Sequence, residues 1–225
     1  MNLKINSNVN PKQSLIIIGC GPGSREYLLP AAWSAAQEAD VIAGSARLLD
    51  LFSDLPAPKT LCPAGSHDAI ELLEKLCGQH KQVALLVSGD PGLFSLAAPV
   101  HRHFGRERCR VIPGISSVQL AFSRLGLSSV ASRIISAHGR NPDICATDLI
   151  DVSPIAVLCG TQSAYTWSAN LVDELKETHQ AWMCMDLGLP EETIFPVMSL
   201  ELKKQPVRSL SIVMLEHRSV LVNTK

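Results

Sequence analysis

Aromatic residues are scarce, at 4% of the chain. Too few rings remain for the stacking platforms with which proteins grip single-stranded nucleic acid. Net charge is nearly absent as well, at −1 over 225 residues, so no broad basic field draws the chain to nucleic acid or to a membrane surface. No apolar run approaches the ~20 residues that a membrane span needs, and residues 1–13 are polar where a signal segment would be apolar. These absences point to a cytoplasmic protein with a flexible arm over residues 1–13. No two cysteines form C-x-x-C, and histidine and cysteine do not cluster at ligand spacing, so neither a disulfide frame nor a metal site is expected. Internal repeats and low-complexity tracts are missing too.

What is present is a chain that is 46% hydrophobic and 18% charged, long enough to bury a core without staples. Short β-branched runs alternate with helical spacing through the first half. Strands are expected at Leu15–Ile18, Asp40–Ala43, Val83–Val87 and Arg110–Ile112, and helices at about 27–39, 69–79, 93–104 and 115–125. Pro30 is tolerated only in the first turn of its helix. The alternation predicts a mainly parallel sheet covered on both faces. Gly126 opens a small polar stretch, so an N-terminal domain over 14–126 and a C-terminal domain over 127–225 are expected. The second half carries apolar strands at Arg133–Ser136, Ile155–Leu158, Ala181–Cys184 and Ser211–Leu215, with a helix over Ser163–His179.

Glycine clusters follow three of the first-half strands. Gly19-Cys20-Gly21-Pro22-Gly23 lacks the G-x-G-x-x-G spacing of a dinucleotide loop, and Pro22 removes an N–H that a pyrophosphate would need. Asp40 stands at the start of its strand rather than after it, at the wrong end of the sheet for a ribose contact. No Gly-Lys-Ser/Thr follows, which excludes a P-loop. The second cluster, Ser88-Gly89-Asp90-Pro91-Gly92, bends sharply between a strand and a helix. Asp90 reads equally as a helix cap or as an acceptor at a ligand edge. The third is Pro113-Gly114-Ile115-Ser116-Ser117.

These three clusters, in this order and spacing, resemble the tetrapyrrole methylases, the class III S-adenosylmethionine-dependent methyltransferases. The resemblance runs from about Leu15 to His217. Gly44-Ser45-Ala46-Arg47-Leu48-Leu49, Val118–Phe122, Leu125-Gly126-Leu127 and Ser136-Ala137-His138-Gly139-Arg140 narrow it toward the branch that methylates C5 of precorrin-7 or cobalt-precorrin-7 in cobalamin synthesis. It implies two α/β domains of the tetrapyrrole methylase type, with a cofactor cleft between them and S-adenosyl-L-methionine as methyl donor. By carry-over, Pro22, Gly89, Asp90, Leu93, Ser116 and Ser117 contact the cofactor, as do Cys159, Gly160, Leu187 and Gly188. Gly21 and Gly23 face the tetrapyrrole. A homodimer is implied, and a separate C15-methylating, decarboxylating partner, because that module is fused in some relatives and the chain ends before it. Leu28-Leu29-Pro30 departs from the family's Leu-Thr-Pro and lacks its hydroxyl.

Methyl transfer from a sulfonium to carbon is an in-line displacement that needs alignment rather than a metal. His138, at a strand end, is the candidate base or substrate ligand, because imidazole titrates near neutrality. Arginine is frequent between Arg102 and Arg140, where lysine is absent. Guanidinium forks suit the ring's acetate and propionate groups, so Arg47, Arg124, Arg133 and Arg140 are candidate substrate contacts. Arg106, Arg108 and Arg110 read as a solvated loop. A methylase of another ring position and a non-catalytic tetrapyrrole- or nucleotide-binding protein stay open as alternatives.

Overall fold

The computed structural model describes residues 14–139 and 141–218. The arm expected over residues 1–13 and the candidate Arg140 lie outside them. The chain divides into two compact units, one ending at Ser116 and one beginning at Ser117. The division falls earlier than the boundary expected after residue 126. Helix α5 (Ser117–Leu125) accounts for the difference, because it packs on strand β10 (Ser211–His217) of the second unit.

The first unit is a parallel sheet in the order β3-β2-β4-β1-β5. Its strands are β1 (Leu15–Gly19), β2 (Val41–Gly44), β3 (Lys59–Leu61), β4 (Val83–Val87) and β5 (Cys109–Ile112). The central strands are apolar at every position because both faces are covered. Ile16 and Ile18 pack with Ile42, Leu86 and the alanines of α1 (Pro30–Gln37) on one face. Leu15 and Ile17 turn the other way, against α3 (Ser66–Gln79) and α4 (Ala97–Phe104). The expected parallel sheet with two covered faces is therefore present in this unit.

Three local expectations need correction. The helix expected from Tyr27 begins only at Pro30, after a 3-10 turn at Arg25–Tyr27. Proline forces the residue before it out of the helical region, and Leu29 is extended. The helix expected from Leu93 begins at Ala97, because Phe94 takes a left-handed φ of 46°. Arg110 lies in β5 rather than in a solvated loop, and its guanidinium forks onto Glu38 at 2.7 and 3.2 Å.

The second unit is a mixed sheet in the order β6-β7-β10-β8-β9. Here β6 (Arg133–Ser136) and β7 (Ile155–Leu158) are parallel, and β8 (His179–Met185), β9 (Thr193–Pro196) and β10 join antiparallel. Helix α6 (Gln162–Glu174), capped by the Thr161 hydroxyl at 3.2 Å, ends earlier than expected and leaves His179 to open β8. No helix of the described residues is long and apolar enough to cross a membrane.

Candidate functional site

Strands β4, β1 and β5 are neighbours and parallel, so the three glycine clusters leave the same edge of the first sheet. In open α/β sheets that edge is where ligands bind. The clusters meet backbone to backbone. Gly21 and Gly89 form a two-bond bridge, N···O 3.3 and 2.7 Å, and Cys20 N–H donates to Val87 O at 2.9 Å. A Cβ on Gly19 would lie 2.6 Å from Gly114 N and 2.7 Å from Pro91 Cδ. One on Gly114 would run into the Gly89 carbonyl and lie 2.7 Å from the Gly19 carbonyl carbon. Only glycine admits this approach.

Asp90 locks the contact. One carboxylate oxygen accepts Gly92 N–H at 2.7 Å and the other accepts Gly114 N–H at 3.2 Å. Helix α4 begins seven residues further on, at Ala97, so Asp90 is not its cap. The carboxylate instead ties the β4 loop to the β5 loop. Leu93 is half-buried beside it, Ser116 is buried near Gly89 and Ser117 opens α5.

Gly21, Pro22 and Gly23 are buried against their own chain. Arg47 Nη1 donates to Pro22 O at 2.9 Å, and its Nη2 to Ser88 Oγ at 3.2 Å. Below them the Cys20 thiol is fully buried, and burial pushes its pKa up to about 12. It is a neutral packing group and no nucleophile at pH 7.

In the second unit His138, Cys159-Gly160 and Asp186-Leu187-Gly188 share one edge, around the start of β10. Ala137 N–H bonds Leu158 O, Cys159 N–H bonds Ser211 O, and Asp186 N–H bonds Leu210 O. Cys159 is buried, 3.2 Å from the Ser168 hydroxyl, and burial pushes its thiol up to about 11. Gly160 makes room for the imidazole: a Cβ there would lie 2.7 Å from His138 Nδ1. His138 Nδ1 is 3.2 Å from Cys159 O. A carbonyl only accepts, so Nδ1 is the donor in this contact, and the ring is exposed.

Leu187 is buried and Gly188 has φ 75°. Two ion pairs hold this loop. Arg208 meets Asp186 at 2.6 Å. Arg124 meets Glu192 at 2.6 Å, and Glu192 accepts Gly188 N–H at 2.7 Å. The Arg124 hydrogen bond holds the Glu192 carboxyl below its ordinary range, against the opposing pull of partial burial. Sequence spacing missed Glu192 and Arg208, which carry no motif and matter only through contact. Arg133 is exposed at the N-terminal start of β6, the opposite end of that strand from His138. The second unit does not bring those two candidates together. His67, Asp68 and Glu71 form one exposed group with ligand atoms within 4.8 Å. His67 and Glu71 are an i,i+4 ion pair there.

A family model described as Tetrapyrrole (Corrin/Porphyrin) Methylases matches residues 14–202. The cobalt-precorrin-7 C(5)-methyltransferase of Salmonella typhimurium is 34% identical over 127 residues, which is 56% of this chain and 62% of that protein. A probable cobalt-factor III C(17)-methyltransferase of Methanothermobacter thermautotrophicus is 35% identical over 116 residues, 49% of this chain and 33% of that one. The fold is similar to that of the uroporphyrin-III C-methyl transferase of Thermus thermophilus complexed with S-adenyl homocysteine, with TM-score 0.73 at 23% identity, covering 92% of this chain and 99% of that one.

Three outcomes follow from the structure. Gly114→Ala destabilises the protein by about 1–3 kcal/mol in urea titration, because the obstruction is backbone. Gly78→Ala, in α3 with nothing within 4 Å of its Cβ, stabilises by about 0.5–1 kcal/mol. Glu192, with a lowered folded pKa, stabilises above the ordinary glutamate pKa of about 4.3 and loses that contribution as pH falls through the folded value. Wild type therefore loses more stability than Glu192→Gln between about pH 5 and pH 3, and equal losses would refute the clamp.

Proposed function

The chain belongs to the tetrapyrrole (corrin/porphyrin) methylase family, and from that premise we propose that it transfers a methyl group from S-adenosylmethionine to C5 of a corrin-ring precursor, precorrin-7 or cobalt-precorrin-7. The observation that carries the ring position is the 34% identity, over 127 residues, with a protein named for C5 methylation. The reading includes a homodimer and a cytoplasmic location.

The residues present fit such a donor. The first unit's edge offers backbone polar groups, the Ser88 hydroxyl and the side chains of Leu93 and Phe94, the last 59% exposed. Nucleosides and amino-acid groups bind through that combination of hydrogen bonds and apolar faces. When bound, the donor supplies an activated sulfonium methyl group. The chain has to hold its loops still, since productive transfer requires reacting atoms about 3–3.5 Å apart and aligned. In the first unit Pro22, Gly89, Asp90, Leu93 and Ser116 serve this role. In the second, Ser117, Cys159, Gly160, Leu187 and Gly188 do. Asp90 acts through the loops it locks. His138 Nε2 is the proposed acceptor for a ring proton. Cys20 and Cys159, held neutral by burial, offer no covalent route.

Calorimetric titration with S-adenosylmethionine, beside NAD and ATP, tests the donor. Binding of S-adenosylmethionine alone, weakened in Asp90→Ala, is expected, and binding of NAD instead would sink the reading. Carbon-13 methyl label from the donor is expected at C5 by NMR. Label at C17 would replace the ring position and leave the chemistry. His138→Ala keeps donor affinity and slows turnover by about 10²–10⁴. Unchanged turnover would remove the base.

A further inference from the structure

We infer that Arg47 is a positioning residue that fastens the β1 loop to the end of β4, and that Gly23 is glycine because the Arg47 guanidinium occupies the space a side chain would need. Composition makes Arg47 a candidate ligand for substrate carboxylates. Its geometry assigns at least two of its donors to the chain itself.

Arg47 sits in the first turn of the short helix α2 (Ala46–Asp50), after β2, and reaches across to two other strands' loops. Nη1 donates to Pro22 O at 2.9 Å and Nη2 to Ser88 Oγ at 3.2 Å. Pro22 has no N–H, so its carbonyl is the only polar backbone group by which that residue can be held. Gly23 has φ 122°, and a Cβ built on it would overlap Arg47 Nη1. A side chain at Gly23 and the guanidinium exclude each other. Arginine suits the position because a planar fork can meet two acceptors on different loops at once, which a lysine ammonium on a flexible stem does less well. The neighbouring Cys20 thiol stays neutral, so the guanidinium is held by a carbonyl and a hydroxyl, with no thiolate.

The β1 loop is otherwise fastened by Cys20 to Val87 and by the Gly21–Gly89 bridge. Arg47 extends that fastening past the bridge to Pro22, the residue proposed to lie beside the methyl donor. In the methylase reading, on which only the kinetic part of the test rests, Arg47 sets the loop's shape before any ligand arrives.

Hydrogen exchange on the ligand-free protein is the first test. In Arg47→Gln the amides of Gly21 and Gly89 should exchange about tenfold faster or more, with Ile17 in β1 within about twofold of wild type. Unchanged exchange at Gly21 and Gly89 overturns the inference. Gly23→Ala, whose Cβ would overlap the guanidinium and would also strain a backbone at φ 122°, should accelerate exchange at the same amides, and its failure to do so counts the same way. If Arg47→Gln does not fold, Arg47→Lys takes its place, with a smaller acceleration expected at the same two amides.

The second test is kinetic. Arg47→Ala should lower kcat while the KM for the tetrapyrrole stays within about threefold, and sub-denaturing guanidinium should restore part of the rate. A raised KM with kcat intact would make Arg47 a substrate ligand and overturn the inference. A wild-type protein that transfers no methyl would sink the methylase reading, while the exchange result would still decide the role of Arg47.

Discussion

Three stretches of backbone touch at the ends of β1, β4 and β5, and the first unit's functional edge depends on that contact. Gly19, Gly89 and Gly114 approach so closely that no Cβ fits at two of the three. Close backbone approach leaves amides that must find partners, since a buried orphan N–H costs about 1–3 kcal/mol. The Asp90 carboxylate supplies two acceptors, to Gly92 and Gly114. Charge-assisted bonds of this kind are short and about twice as strong as neutral ones. One side chain thus ties the turns after β4 and β5 into a fixed ledge, as an aligned displacement requires.

Arginine does the corresponding work elsewhere in each unit. Arg110 forks onto Glu38, Arg124 and Arg208 hold the loop around Gly188, and Arg47 holds the loop around Pro22. Such forks are preorganised, so they fix geometry at little further entropic cost. A cation already engaged in this way has fewer donors left for a carboxylated ligand. Of the candidate substrate arginines described, Arg133 alone has no side-chain partner among the described residues, and it stands at the far end of its strand from His138.

The parallel sheet of the first unit was legible because central parallel strands are apolar at every position, as in Leu15-Ile16-Ile17-Ile18 and Val83-Ala84-Leu85-Leu86-Val87. The glycine clusters were legible because turns at strand ends need glycine. Strands β3 and β9 were not, since each is a short edge with one paired side, and Pro196 closes β9. The end of α6 was hidden because Leu175 falls four residues after Leu171, at helical spacing, and neither glycine nor proline marks the stop before β8 opens at His179. Side-chain destinations were the least legible. Nothing in one dimension tells that Arg124 finds Glu192, or that Asp90 finds Gly114.

The buried thiols also give each unit its own reporter of opening. Cys20 lies in the first unit, and Cys159 and Cys184 in the second, with burial pushing them up to about 12, 11 and 12. A neutral, enclosed sulfur does not react with an alkylating reagent until its surroundings part. Cys145 is exposed and reacts without any opening. The order in which these sulfurs become labelled in rising denaturant therefore reads out which unit loosens first. No probe need be engineered into the chain.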